Sequence, residues 1–451
     1  MMNKRKFFKT SILYFEKDPS KCENKKNSIK FYKNGLLIIE ETKIFASGDY
    51  EELISLYNID KKDISLEYED NLIMPGFIDT HLHYAQTEMI GSFGEQLLPW
   101  LEKYTFPTEM KYKDPIYAKE MANFFIKELF KNGTTTAAVF TTVHKESTNA
   151  IFEVANKYKM RLIAGKVMMD RNAPKELLDD AKSSYEDSLE LIEKWHEKDR
   201  LLYAITPRFA PTSTKEQLEL ARKLKEKYPT TYIQTHLSEN LNEIQWVKSL
   251  FSNAKSYLDV YDSFGLVTNR AIFGHAIYLE EQEYKTLHEK GASVSLCPTS
   301  NLFLGSGLFK IKKLKDENCE VKIGFGSDVG AGTTLNMIKT LNEAYKIVSL
   351  EQNSAQNREA LSAFEGFYQI TLGASISLDL EDKIGKLASN YEADFVVIDF
   401  KADEIQNLRM QKIEEQNKDD LAELEEKLFA LMIMGDDRNI KATFVNGKKV
   451  Y

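Results

Sequence analysis

The 451-residue sequence holds only three cysteines, Cys22, Cys297 and Cys319. An odd, scattered set makes neither a disulfide framework nor a Cys-x-x-Cys metal pair, and a reducing cytoplasm suits it best. Ten prolines and 21 glycines are too few for a low-complexity or collagen-like chain. No run approaches the roughly 20 apolar residues of a membrane-spanning helix. Excess positive charge is absent too. Sixty Lys and Arg stand against 69 Asp and Glu, a net −9, which disfavours nucleic acid and anionic membrane as partners. Lys4-Arg5-Lys6-Phe7-Phe8 opens like a targeting signal, but Lys9, Thr10 and Glu16-Lys17-Asp18 interrupt it and no small-residue cleavage site follows, so a targeting segment is not expected. What is present is a hydrophobic fraction of 43% beside 29% charged residues, enough apolar surface for a large core. At about 150 residues per domain the length implies roughly three domains, or one large barrel with an appendage.

Both ends read as short strands with polar turns. Phe7 to Phe15, Ile29 to Tyr32 and Leu36 to Phe45 are strand candidates, the last two joined by an Asn34-Gly35 hairpin signal. Near the other end lie Ala393 to Phe400 and, within Ile440 to Tyr451, a second hairpin at Asn446-Gly447, with a charged helix from about Leu421 to Met434 between them. Two or three strands alone are marginal, so the ends are expected to pair as one small β domain. The middle alternates apolar strands with amphipathic helices. Strands are predicted at 76–80, 134–140, 161–169, 202–206, 232–235, 271–274, 292–296 and 322–326, with helices at 118–130, 148–158, 185–198, 215–228 and 280–290 between them. Eight such units predict a parallel (β/α)8 barrel rather than an open doubly wound sheet, because no Gly-x-Gly-x-x-Gly follows the first strand. The expected division is residues 1–72 and 379–451 in a terminal β-sandwich, and 73–378 in the barrel.

A barrel places its chemistry just past the C-terminal ends of its strands. Of seven histidines, His81 and His83 end the first predicted strand, His236 the fifth and His275 the sixth, while Asp328 ends the eighth. In His81-Leu82-His83, residues i and i+2 share one face, so both imidazoles can reach one ion. His81, His83, His236 and Asp328 make a set suited to zinc or iron(II) that leaves a position for water. Hydrolysis also needs a proton carrier that is not a ligand, and Glu239, three residues past His236, is the candidate. Ser238, Glu239 and Glu243 can equally start a helix, and the two roles are compatible. His275 is read as a partner of the attacking water rather than a ligand. His144, His196 and His288 are expected on the surface, Cys297 in barrel packing, and Trp100 and Phe106 over the pocket.

Pro75-Gly76-Phe77-Ile78-Asp79-Thr80-His81-Leu82-His83 resembles the opening motif of the amidohydrolase superfamily. His83-Tyr84-Ala85-Gln86, Tyr104-Thr105-Phe106-Pro107-Thr108-Glu109, Thr206-Pro207-Arg208-Phe209, His236-Leu237-Ser238-Glu239-Asn240, His288-Glu289-Lys290-Gly291-Ala292-Ser293 and Gly324-Phe325-Gly326-Ser327-Asp328 resemble its guanine deaminases. The resemblance implies one divalent metal, usually zinc, on His81, His83, His236 and Asp328, a homodimer, and hydrolysis of guanine to xanthine and ammonia. Binuclear relatives carry a bridging lysine where this chain has Pro207-Arg208-Phe209, which favours one metal. An arginine fork is the commonest partner for guanine's O6 and N7 edge, so Arg208 is the expected base reader, with Gln86 on the opposite edge and Phe209 on the ring plane. The alternatives are another aminated heterocycle (8-oxoguanine, a pterin or a triazine) and, more remotely, a non-enzymatic assembly protein.

Overall fold

The computed structural model describes residues 5–351, 360–416 and 419–451. All eight predicted barrel strands form, at Phe77–His83, Thr134–Phe140, Arg161–Gly165, Leu201–Pro207, Tyr232–Leu237, Ala271–His275, Ser293–Leu296 and Lys322–Phe325. Each pairs in parallel with the next in chain order. The first and eighth meet through backbone bonds, His83 N to Val329 O at 2.8 Å and Asp328 N to His81 O at 2.9 Å. The third strand is interrupted at Lys166, after which Val167–Met168 continues it against the fourth.

At the N-terminal end the barrel interior is apolar. Ile78, Ala138, Ile163, Ala204, Tyr232 and Ile272, one from each of the first six strands, form a layer against Ala374, Leu378, Leu380 and Ile384. That floor leaves the C-terminal end open for the polar residues, the division of labour usual in such barrels. The helices are amphipathic and sit outside, at Pro115–Lys131, Lys145–Tyr158, Ala181–Trp195, Lys215–Lys227 and Glu281–Lys290.

The two chain ends form a joint sheet as expected. Its spatial order runs from the hairpin Ile440–Val445/Lys448–Lys449 through Phe395–Ile398, Leu72–Pro75 and Arg5–Phe15 to Ile29–Glu40 and Lys43–Asp49. The sheet is continuous, yet Phe8 lies 5.6 Å from Phe444, three strands away. Flat strands at about 4.8 Å spacing would hold them far apart, so the sheet curls over and its arms pack as the two layers of a sandwich. Asn446-Gly447 makes the predicted turn, both residues in the left-handed region (φ 50° and 68°).

Asn34-Gly35 does not turn the chain. One strand runs through it from Ile29 to Glu40, and Lys33 and Asn34 together face the single residue Ser11 as a bulge. A Cβ on Gly35 would come within 2.8 Å of Thr10 O, so glycine is there for close approach, not for a hairpin. The turn falls at Glu41-Thr42, with Glu41 at φ 57°. His196 also departs from expectation: its side chain is 6% exposed and bridges Tyr203 N (3.0 Å) and Thr230 Oγ1 (2.9 Å). His288 is exposed and Cys297 buried, as expected.

Barrel and sheet are locked by buried charge. Arg161 and Arg200, at the starts of the third and fourth strands, pair with Glu392, and Arg200 also pairs with Asp394. Asp394 Oδ1 accepts from Asn446 N at 2.8 Å, tying the terminal hairpin to the same network.

Candidate active site

The residues read as metal ligands converge from the ends of three strands, the first, fifth and eighth. His83 Nε2 lies 3.2 Å from His236 Nε2 and 3.4 Å from Asp328 Oδ1, and His81 Nε2 lies 3.3 Å from the same oxygen. Ligand atoms about 2.0–2.1 Å from a tetrahedral ion stand about 3.4 Å apart, so the spacing fits a divalent metal such as zinc. His81, His236, His275 and Asp328 each offer a ligand atom within 4.8 Å of the others. Protein partners do not explain this cluster. Both ring nitrogens of His81 and Nδ1 of His83 are buried without a hydrogen bond. His236 donates Nδ1–H to Arg208 O at 2.7 Å, which turns the Nε2 lone pair into the site.

Burial lowers the pKa of all three imidazoles, that of His83 to about 3, leaving them neutral as ligation requires. Burial would raise Asp328, but His81 and His83 beside it hold it well below the usual carboxylate range. His275 goes the other way: burial opposes its charge, and the Glu239 and Asp328 carboxylates outweigh that and raise it. Its Nδ1 lies 3.0 Å from Asn301 Oδ1, and its Nε2 lies 3.4 Å from Glu239 Oε2 and 3.7 Å from Asp328 Oδ2.

The backbone is shaped to deliver these groups. Ser238, His275 and Asp328, at or just past the ends of the fifth, sixth and eighth strands, take left-handed conformations (φ 51°, 69° and 49°) that cost non-glycine residues about 1–2 kcal/mol each. Gly274 opens space for His81, whose Cε1 would lie 2.7 Å from a Cβ there. Asp79 Oδ1 accepts from His81 N (3.2 Å) and Ser327 N (3.0 Å), clasping the first strand to the loop that carries Asp328. Burial raises the Asp79 pKa to about 7.

In the His236–Glu243 segment the helix-start reading holds, with Asn240 rather than Ser238 as the cap. Asn240 caps the helix Leu241–Leu250, and Glu243 completes the capping box by accepting from Asn240 N at 3.1 Å. The Glu239 backbone N–H also donates to Glu243 Oε2, at 3.0 Å, but the Glu239 carboxylate takes no part in the cap. It lines the cavity, Ser306 Oγ donates to its Oε1 at 2.9 Å, and burial raises its pKa to about 7.

Above this cluster lies a cavity lined among others by Gln86, Trp100, Arg208, Phe209, Glu239 and Asp328. Phe209 packs edge-on against Trp246. Phe106 lies under the Arg208 guanidinium at 6.0 Å. Arg208 is also ion-paired: its Nη1 donates to Glu109 Oε1 and Oε2 at 2.9 and 2.8 Å. Glu109, Asp79, Ser306 and Asn301 were not identified as site residues from sequence. Glu109 and Asp79 left a signal, each a carboxylate within a quoted motif and beside apolar residues, where burial demands a partner.

A family model described as "Amidohydrolase family" matches residues 72–450. The chain belongs to the amidohydrolase family. Guanine deaminase of Escherichia coli (strain K12) is 51% identical over 425 residues, covering 94% of this chain and 93% of that one. A solved structure, "E. coli Guanine Deaminase", superposes with a TM-score of 0.92 at 49% identity over 99% of both chains. A guanine deaminase from C. acetobutylicum solved with bound guanine in the active site gives a TM-score of 0.86 at 32% identity, over 99% of this chain and 100% of that one. Within the family the chain therefore falls among the guanine deaminases.

Proposed function

We propose that this protein hydrolyses guanine to xanthine and ammonia, using one divalent ion, zinc before iron(II), on His81, His83, His236 and Asp328. The observation that carries the reading is the stacking of two layers. Four ligand groups at metal spacing lie beneath a cavity whose wall presents Arg208, Gln86 and Phe209. When bound, the ion supplies the Lewis acid that makes water a nucleophile near neutral pH.

The chain's own residues supply the rest. Arg208 donates to the O6 and N7 edge of the base, Gln86 holds the opposite edge and Phe209 packs on the ring plane, which points C2 at the cluster. Glu239 takes a proton from the attacking water as the C2–O bond forms. It returns that proton to the exocyclic nitrogen as the C2–N bond breaks and ammonia leaves. Asp328 and His275 orient the water, and Ser306 holds the Glu239 carboxylate in place. The protein works in the cytoplasm as a homodimer. Three free cysteines and a lack, among the described residues, of any helix long and apolar enough to cross a membrane support the first part.

The test is a time course of xanthine and ammonia release by purified protein beside a chelator-treated sample. Release that stops on chelation and returns with zinc is expected. A folded, metal-loaded protein that releases neither product would discard guanine. Arg208→Ala is expected to weaken guanine binding while leaving metal content intact, and an unchanged guanine KM would remove Arg208 from the base-reading role.

A further inference from the structure

We infer that Glu109 is the positioning residue of the base-reading pair: one buried carboxylate fixes the Arg208 guanidinium and the Gln86 amide together, and so sets the preference for a 6-oxo over a 6-amino purine. The inference rests on the proposed guanine reading. Glu109 accepts from Arg208 Nη1 with both oxygens and from Gln86 Nε2 with Oε1 at 3.0 Å. On its other side, Gln86 Oε1 accepts from Gly330 N at 3.2 Å. A carboxylate can only accept and a backbone N–H can only donate, so the Gln86 amide has one possible orientation.

The pairing with arginine is unusual in using a single nitrogen. A fork-on-fork pair would consume two guanidinium nitrogens. Here Nη1 alone contacts Glu109, so Nη2 and Nε keep their donors for a ligand. Glu109 is wholly buried while Arg208 and Gln86 line the cavity, so it acts through them. Its place is set by the loop after the first strand. A wide π-type turn at Leu101–Thr105 leads into the helical turn Phe106–Glu109, and Phe106 supports the same guanidinium from below. Such turns concentrate at functional positions.

The specificity follows from donor counting. Arginine offers donors only, which an O6 acceptor satisfies. A 6-amino group would set donor against donor in a buried site, the arrangement that rejects analogues most strongly. Losing Glu109 frees both side chains to move, so discrimination falls even though the groups that touch the base remain.

The test uses metal-loaded protein with guanine and with 2,6-diaminopurine, which carries the same 2-amino group but a 6-amino in place of O6. Glu109→Gln is expected to raise the guanine KM about tenfold or more with a smaller change in kcat. It should lower the guanine to diaminopurine ratio of kcat/KM by a similar factor and leave metal content unchanged. In an Arg208→Lys background the same substitution should add little, because both act through one contact. If Glu109→Gln does not fold, Glu109→Asp keeps the charge, shortens its reach and is read in the same way. A guanine KM and purine ratio within about twofold of the parent would overturn the inference. So would equal losses toward both purines together with lost metal, the mark of a merely structural role, or effects that multiply independently with Arg208→Lys. Failure of the base-reading assignment itself looks different: Arg208→Ala then leaves the guanine KM unchanged.

Discussion

Gly274→Ala tests whether the histidine cluster is built for a metal. A Cβ at this position would lie 2.7, 3.0 and 3.2 Å from Cε1, Nδ1 and Nε2 of His81, against an ordinary contact of 3.4 Å or more. The imidazole would have to retreat by about 0.7 Å, the difference between 3.4 and 2.7 Å. It has no room to do so, because Phe140 and His236 already stand 4.9 and 4.8 Å from its ring centroid. Metal–ligand distances tolerate only about 0.2 Å. The expected outcome is a loss of zinc affinity of about 10–100-fold, the range seen when a ligand's support is disturbed. Overpacking adds about 1–3 kcal/mol of destabilisation in the metal-free protein. Zinc titration against a competing chelator reads the first effect and denaturant melts the second. Without the clash, Gly→Ala in ordinary backbone would stabilise by about 0.4–1 kcal/mol through the unfolded chain. A variant that holds zinc as tightly as the parent and melts no earlier would therefore refute the placement of His81.

Glu239→Gln should lower kcat by about 10²–10⁴-fold with metal retained, as measured in steady-state assays on metal-replete protein. The same carboxyl sets a pH dependence. Burial raises it to about 7, and only the ionised form can take a proton from water, so kcat/KM should fall as pH drops through that range. A bound cation moves this limb toward lower pH, so its midpoint is expected at or below about 7; an acid limb that persists unchanged in Glu239→Gln contradicts the role. At the opposite end of the barrel, Arg200→Met leaves Glu392 and Asp394 as buried charges, 10% and 3% exposed, with Arg161 still beside Glu392. Breaking such a network costs about 3–5 kcal/mol, and urea melts should show it with metal affinity unchanged. Asn301→Ala should leave zinc stoichiometry intact while lowering kcat, since it removes the oxygen 3.0 Å from His275 Nδ1, and single-turnover rates would show the loss.

The groups at strand ends were legible because strand register is a local property. His81 and His83 share a face through their i, i+2 spacing, and once eight strands are counted, His236, His275 and Asp328 fall at the same rim without further information. The Asn34-Gly35 misreading has the same origin. The dipeptide does disturb the strand, but whether the disturbance is a turn or a bulge depends on what Ser11 does on the neighbouring strand. His196 looked like a surface residue on a charged helix because nothing near it in sequence announces Tyr203 and Thr230 as its partners. Glu109 is the extreme case. It meets Arg208 from 99 residues away, through a loop whose path over the barrel no periodicity encodes. The residues given chemical roles sit on strands or within a few residues of their C-terminal ends, where hydrogen-bonded register carries them to one place. Glu109, Asn301 and Ser306, which restrain them, sit farther along the connections, where only tertiary packing decides the partner. In this fold, therefore, a buried carboxylate in the first βα loop, flanked by small and apolar side chains, should be read as seeking a cation on another strand end. Arg208, on the loop that replaces the bridging lysine of binuclear relatives, is the cation it finds.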